Sequence, residues 1–185
     1  MAAIIAMLRG VNLGPHRRIK MNDLCALCES IKFRDAQTYV QSGNVIFRSA
    51  ERDLAGLTKR MEKAFERRFG FQSDVILRTA SELRQVIAKN PFAKRRGIEP
   101  KRLLVTFLAA DPGENARILV RKLETHPEEL WIHGRELYIY YPNGMARLRI
   151  SWSTIEKLLK TSGTGRNWNS VTNLLQIAEK LEAEE

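Results

Sequence analysis

The 185-residue chain has two cysteines, three histidines and no apolar run long enough to cross a bilayer, and each scarcity removes a class of function. Two cysteines cannot build a disulfide framework. Cys25 and Cys28 have C-x-x-C spacing, yet no second cysteine pair exists and His16, His126 and His133 show no ligand spacing, so neither a metal nor a cofactor is expected. Cys28 shares a helical face with Leu24 and Leu27, which makes it an expected core thiol. The apolar opening Ala2 to Leu8 is too short for a span, follows no basic region and runs into Arg9, so a signal peptide is not expected. A cytoplasmic, monomeric protein without membrane contact is the resulting expectation.

Catalytic and nucleotide signatures are missing as well. Gly10 and Gly14 are spaced G-x-x-x-G, which matches neither G-x-x-x-x-G-K-S/T nor G-x-G-x-x-G. No serine lies in G-x-S-x-G or S-x-x-K, and no RNP1-like K/R-G-F/Y-G/A-F-V run is present. The sequence therefore names no reaction.

Positive charge is what the chain has in excess. Thirty-one Lys and Arg face 21 Asp and Glu, a formal net charge of +10 with a pI near 9.9. Such a surface attracts phosphates, nucleic acid and other polyanions without naming one of them.

Periodicity supplies the architecture. Ala3 to Arg9 reads as a buried strand, and Asn22 opens a helix with Leu24, Leu27, Cys28 and Ile31 on one face. In "DAQTYVQSGNVIFRS" two β-rich runs flank Ser42, Gly43 and Asn44, a hairpin signal. A helix over Asp53 to Phe69 and the strand "SDVILRT" complete the order β-α-β-β-α-β, the split βαβ arrangement of a ferredoxin-like unit. Thr79 and Glu82 have capping-box spacing before a short helix that Asn90-Pro91 stops.

The second half repeats the order β-α-β-β-α. It runs through "LLVTFLA", a helix marked by Ala116, Leu119, Val120 and Leu123, and the hairpin "ELWIHGRELYIYYP" turning at Gly134. A helix marked by Trp152, Ile155, Leu158 and Leu159 follows, with Ser153 and Glu156 at capping-box spacing, and after the loop "KTSGTGRNWNS" comes a last helix. The fold expected is α+β: two tandem ferredoxin-like units with antiparallel sheets, plus a C-terminal helix packing across them. The first unit is expected over residues 1–90, a basic linker over 91–102 and the second unit with the last helix over 103–185.

At "LRGVNLG", "IKMNDL", "TYVQSGNVIF", "NPF" and "GRNWNSV" the chain resembles the bacterial family called domain of unknown function 1697. The resemblance implies a two-part α+β fold with ferredoxin-like units and carries no activity, substrate or cofactor. Two positions depart from the family pattern. Leu13-Gly14-Pro15-His16 stands where a second adjacent glycine is common, and Gly165 precedes Arg166 where threonine or alanine is common.

The "MLRGVNLGPHRRIK" loop joins a strand end, glycines that free backbone N–H groups, the cations Arg9 and Lys20, and a helix start, which are the ingredients of an anion site. "SGTGRNWNS" offers a similar set with Arg166 and Asn167. The expected ligand-binding residues are therefore Arg9, Asn12, Lys20 and Arg166, joined by Asn167 and by Gln41, Ser42 and Asn44 of the hairpin, around an anionic or phosphate-bearing ligand, nucleic acid included, in a cleft between the halves. Two other classes stay open: a small enzyme acting on a phosphorylated or carboxylated metabolite, and a protein-interaction module. The last would use the second hairpin, where alternation sets Trp131, Tyr138 and Tyr140 on the face opposite Leu130, Ile132, Leu137 and Ile139, an array also suited to stacking bases if the sheet is open.

Overall fold

Seven consecutive residues, Ala2–Leu8, form the first strand, β1, and six of them are buried. An unbroken apolar run belongs on a central strand covered on both faces. In the computed structural model, which describes residues 1–145 and 151–184, β1 is central. It is followed by α1 (Met21–Ser30), β2 (Arg34–Thr38), β3 (Asn44–Ser49), α2 (Leu54–Phe69), β4 (Val75–Thr79) and α3 (Ala80–Ala88). The strands form an antiparallel sheet in the order β2-β3-β1-β4. That is the ferredoxin-like order, in which the outer strands follow the two helices.

The same sequence of elements recurs. β5 (Leu103–Leu108), α4 (Gly113–Arg121), β6 (Glu129–His133), β7 (Glu136–Tyr140), α5 (Trp152–Leu159), β8 (Gly163–Asn167) and α6 (Trp168–Ala183) give a second antiparallel sheet ordered β6-β7-β5-β8. The chain divides into two units: Met1–Gln85 with Asn173–Glu185, and Val86–Thr172. Helix α6 thus contributes residues to both, and the basic stretch 91–102 lies in the second.

Each unit packs two of its helices, α1 and α2 or α4 and α5, on one face of its sheet. In the first, Ile4, Ala6, Leu8, Phe47 and Leu77 meet Leu24 and Leu27 of α1 and Leu57, Met61 and Phe65 of α2, with Phe33 stacked on Phe47 at 4.1 Å between ring centroids. In the second, Leu108, Ile132, Leu137 and Ile139 meet Ala116 and Val120 of α4 and Ile155 and Leu159 of α5. The opposite faces are buried too: Ile5 and Ile46 in the first, Val105, Phe107 and Tyr138 in the second. Burial of Tyr138 and Tyr140 removes the open three-ring array expected of the second hairpin, because only Trp131, on the edge strand β6, stays exposed.

The segment after α5 also differs from the sequence expectation. Gly163–Asn167 is the strand β8, paired with β5, so the second unit has the complete β-α-β-β-α-β order. Its pattern of Gly, Thr, Gly, Arg and Asn has little strand propensity, because only Thr164 is a residue strands favour. The close approach to β5 favours glycine at 163, where a Cβ would lie 2.9 Å from Thr106 Cγ2 and 3.1 Å from the Phe107 backbone oxygen. The cap of α5 is displaced as well, since the Ser151 side chain, not that of Ser153, accepts from Thr154 N. The Thr79–Glu82 capping box is present: Glu82 N–H donates to Thr79 Oγ1 at 3.1 Å and Thr79 N–H to Glu82 Oε2 at 2.8 Å.

Candidate functional site

The loop after β1 folds back on itself before α1 begins. Asn12 sits at φ +56°, a left-handed conformation that asparagine tolerates better than most residues, and its N–H donates to Arg17 O at 2.8 Å. Its side chain donates through Nδ2 to Gln41 O at 2.7 Å and accepts at Oδ1 from Ile19 N–H at 2.8 Å. Across from it, the hairpin turn approaches so closely that a Cβ on Gly43 would stand 2.2 Å from Val11 Cγ2. Asn44 is fully buried and braces the turn, donating to Ser42 Oγ at 2.8 Å and to Tyr39 O at 3.2 Å.

Between these loops lies an open pocket of about 730 Å³ lined by Asn12, Arg18, Ile19, Lys20, Met21, Asn22 and Gln41. Its two charged residues, Arg18 and Lys20, are both cations. Lys20 is the N-cap of α1 in an extended conformation, and its side chain makes no cap hydrogen bond to the helix start. Such an end attracts anions through its N–H groups and dipole. The first-turn acid, Asp23, forms an ion pair with Arg68 at 3.2 Å.

The residues expected from sequence separate into three groups. Asn12, Lys20 and Gln41 line the pocket, while Ser42 and Asn44 shape the hairpin beside it. Arg9 forms an ion pair with Asp74 at 3.3 Å, and its backbone is tied to the start of β4 by Arg9 N–H to Asp74 O at 2.9 Å and by Ser73 Oγ to Arg9 O at 2.8 Å. Arg166 and Asn167 belong to the second unit. Arg166 is 6% exposed on β8, donating to Thr164 Oγ1 at 2.7 Å and Gly165 O at 2.8 Å. Burial pulls its guanidinium down to about 10, which leaves it a cation at neutral pH. Asn167 ends β8 and caps α6 by accepting from Ser170 N–H at 2.8 Å.

Arg18 and Asn22 were not among the sequence candidates. Arg18 stands in the same "HRRIK" run that supplied Lys20, next to Arg17, whose guanidinium lies over the Phe71 ring at 5.5 Å. Cys28 is buried and its thiol is pushed up to about 12, chiefly by desolvation and then by Cys25 and Glu29, which leaves it inert at neutral pH. Among the described residues no three His, Cys, Asp or Glu side chains group as a metal site, and no helix is long and apolar enough to cross a membrane.

The family model described as "Protein of unknown function (DUF1697)" matches residues 1–138. The chain belongs to this family. The match contains "LRGVNLG", "IKMNDL" and "TYVQSGNVIF", which are the segments that build the pocket, whereas "GRNWNSV" lies beyond it. Among solved structures, a conserved bacterial protein from Streptococcus pneumoniae is similar, with 20% identity and a TM-score of 0.71 over 97% of this chain and 99% of that one. That likeness shows the fold: two α+β units in tandem and a C-terminal helix. Comparison with curated proteins gives no match.

Proposed function

We propose that this protein binds a small phosphate-bearing or otherwise anionic ligand in the pocket at the start of α1. One observation carries the reading: Arg18 and Lys20 share an open pocket with the N-terminus of α1, whose N-cap residue makes no side-chain cap. Cations and backbone N–H groups acting on one phosphate reinforce each other, and an exposed helix end alone adds only about 0.3–1 kcal/mol. Among the described residues the pocket lining offers cations and amides and no carboxylate, histidine or thiol, a donor set suited to holding an anion. Arg166 and Asn167, drawn into one ligand set by the sequence, are not required for this reading.

Thermal-shift titration with inorganic phosphate, sulfate and nucleoside monophosphates tests it. Ligand at about 100 times its Kd stabilises the folded state by about 2.7 kcal/mol. Lys20→Ala and Arg18→Ala should each remove most of that shift, and added salt should weaken it. Equal shifts in parent and variants would overturn the assignment.

A further inference from the structure

We propose that the β6 edge of the second unit is a contact surface for single-stranded nucleic acid, in which Trp131 stacks on an unpaired base and Lys94 and Arg96 hold the flanking phosphates. Trp131 is 55% exposed and stands on β6, which among the described residues pairs only with β7. Its partner across the ladder is Tyr138, which is buried with its hydroxyl donating to Val86 O at 2.7 Å. The indole is therefore seated beside a fixed ring and open to solvent. An exposed ring on a strand offers a flat face on which an unpaired base can stack.

One rung along the same face, Glu129 lies opposite Tyr140. Arg95 grips this rung, donating to both Glu129 carboxylate oxygens at 2.6 and 2.7 Å while its guanidinium lies 5.8 Å from the Tyr140 ring. The Tyr140 ring is 5.8 Å from Phe92, and its hydroxyl donates to Gly97 O at 3.4 Å. The turn carrying Lys94, Arg95 and Arg96 is thereby fastened to the sheet at the rung next to Trp131, about 7 Å away by strand geometry. Arg95 neutralises the acid of that rung, and exposed Lys94 and Arg96 remain as surplus charge on either side of it.

Charge on the scale of the whole unit agrees. Residues 86–172 hold 15 Lys and Arg against 8 Asp and Glu, whereas the other unit holds 16 against 13. An aromatic face beside a positive track is what binds single strands, because every unpaired base has a ring face and every nucleotide a phosphate. A duplex hides its bases, and one exposed ring among cations is small for a stable protein interface.

Fluorescence anisotropy with labelled oligo-dT and oligo-U of about 15 nucleotides tests the proposal. The parent should bind at about 50 mM salt and lose affinity steeply by about 200 mM. Trp131→Ala should weaken binding about tenfold, and Trp131→Phe should keep most of it. The Lys94→Gln, Arg96→Gln double variant should flatten the log–log salt slope by about 1.4, and a duplex of the same length should bind less tightly than the single strand. Tryptophan emission should be quenched by oligonucleotide in the parent and much less in Trp131→Ala. Unchanged affinity in a folded Trp131→Ala protein would overturn the proposal. So would absence of oligonucleotide binding together with self-association that Trp131→Ala abolishes, since the ring would then meet a second copy of the chain.

Discussion

Asn12 and Gln41 are 29 residues apart in sequence and joined by a single hydrogen bond of 2.7 Å, from the Asn12 side-chain amide to the Gln41 carbonyl. With the Asn12 oxygen accepting from Ile19 N–H, one side chain links the β1–α1 loop to the β2–β3 hairpin and sets the width of the pocket between them. Asn12→Ala removes both bonds and keeps a left-handed backbone that alanine disfavours, so it should lower stability by about 1–3 kcal/mol. Asn12→Asp keeps the acceptor for Ile19 and should lose less. Urea unfolding midpoints check the order; an unchanged midpoint for Asn12→Ala would mean that the link carries no stability.

The two units repeat a junction that the amino-acid types conceal. Arg78 lies opposite Ile5 and Arg166 opposite Val105, each the fourth residue of its five-residue strand, and each buried on the face away from α1 and α2 or α4 and α5. The next residue in each case, Thr79 or Asn167, ends the strand and caps the helix that follows at once, accepting from Glu82 N–H and Ser170 N–H. Thr79→Ala and Asn167→Ala should each cost about 1 kcal/mol of stability, while Thr79→Ser and Asn167→Asp should stay near the parent. Denaturant midpoints of the four variants decide it, and neutral alanine substitutions would show that the strand, not the cap, starts the helix.

Most of the fold was legible because its elements advertise themselves through side chains. Leu57, Met61, Ala64 and Phe65 keep the helical period, and Gly134 turns a hairpin between alternating runs. β8 was not legible, because it pairs through its backbone and uses glycine at 163, where Thr106 and the Phe107 carbonyl leave little room. Alternation placed Trp131, Tyr138 and Tyr140 on one face but held no record of sheet order. Being on the edge strand exposes Trp131, while being one strand inward buries the tyrosines. The pocket was partly legible: glycine, asparagine and cations marked its loops, but a loop has no period to tell that Arg18 lines it while the neighbouring Arg17 covers Phe71.

The glycines of β8 give a direct test of that strand. A Cβ at Gly163 would meet Thr106 Cγ2 at 2.9 Å and the backbone oxygen of Phe107 at 3.1 Å, and a backbone atom cannot rotate away. Gly163→Ala should destabilise by about 1–3 kcal/mol. Gly14→Ala, where nothing lies within 4 Å, should change stability by no more than about 0.5 kcal/mol. Thermal unfolding of the pair separates crowding from the general effect of replacing glycine; equal behaviour would contradict the close approach of β8 to β5.

Alkaline pH tests the packing of α1 from another direction. Burial pushes the Cys28 thiol up to about 12 from 9.0, so between those values the folded chain keeps a proton that the unfolded chain has released. The unfolded state then binds fewer protons, and stability falls as pH rises through this window. At pH 8 and below, the thiol is neutral in both states and the penalty is absent. Cys28→Val keeps an apolar side chain in the core and removes the titration, so the drop in urea midpoint between about pH 8 and about pH 10 should be smaller than in the parent. A thiol reagent at pH 8 should label the half-buried Cys25 of the native protein quickly and Cys28 only after unfolding. Rapid labelling of both thiols in the native state would mean that α1 does not hold Cys28 against the sheet.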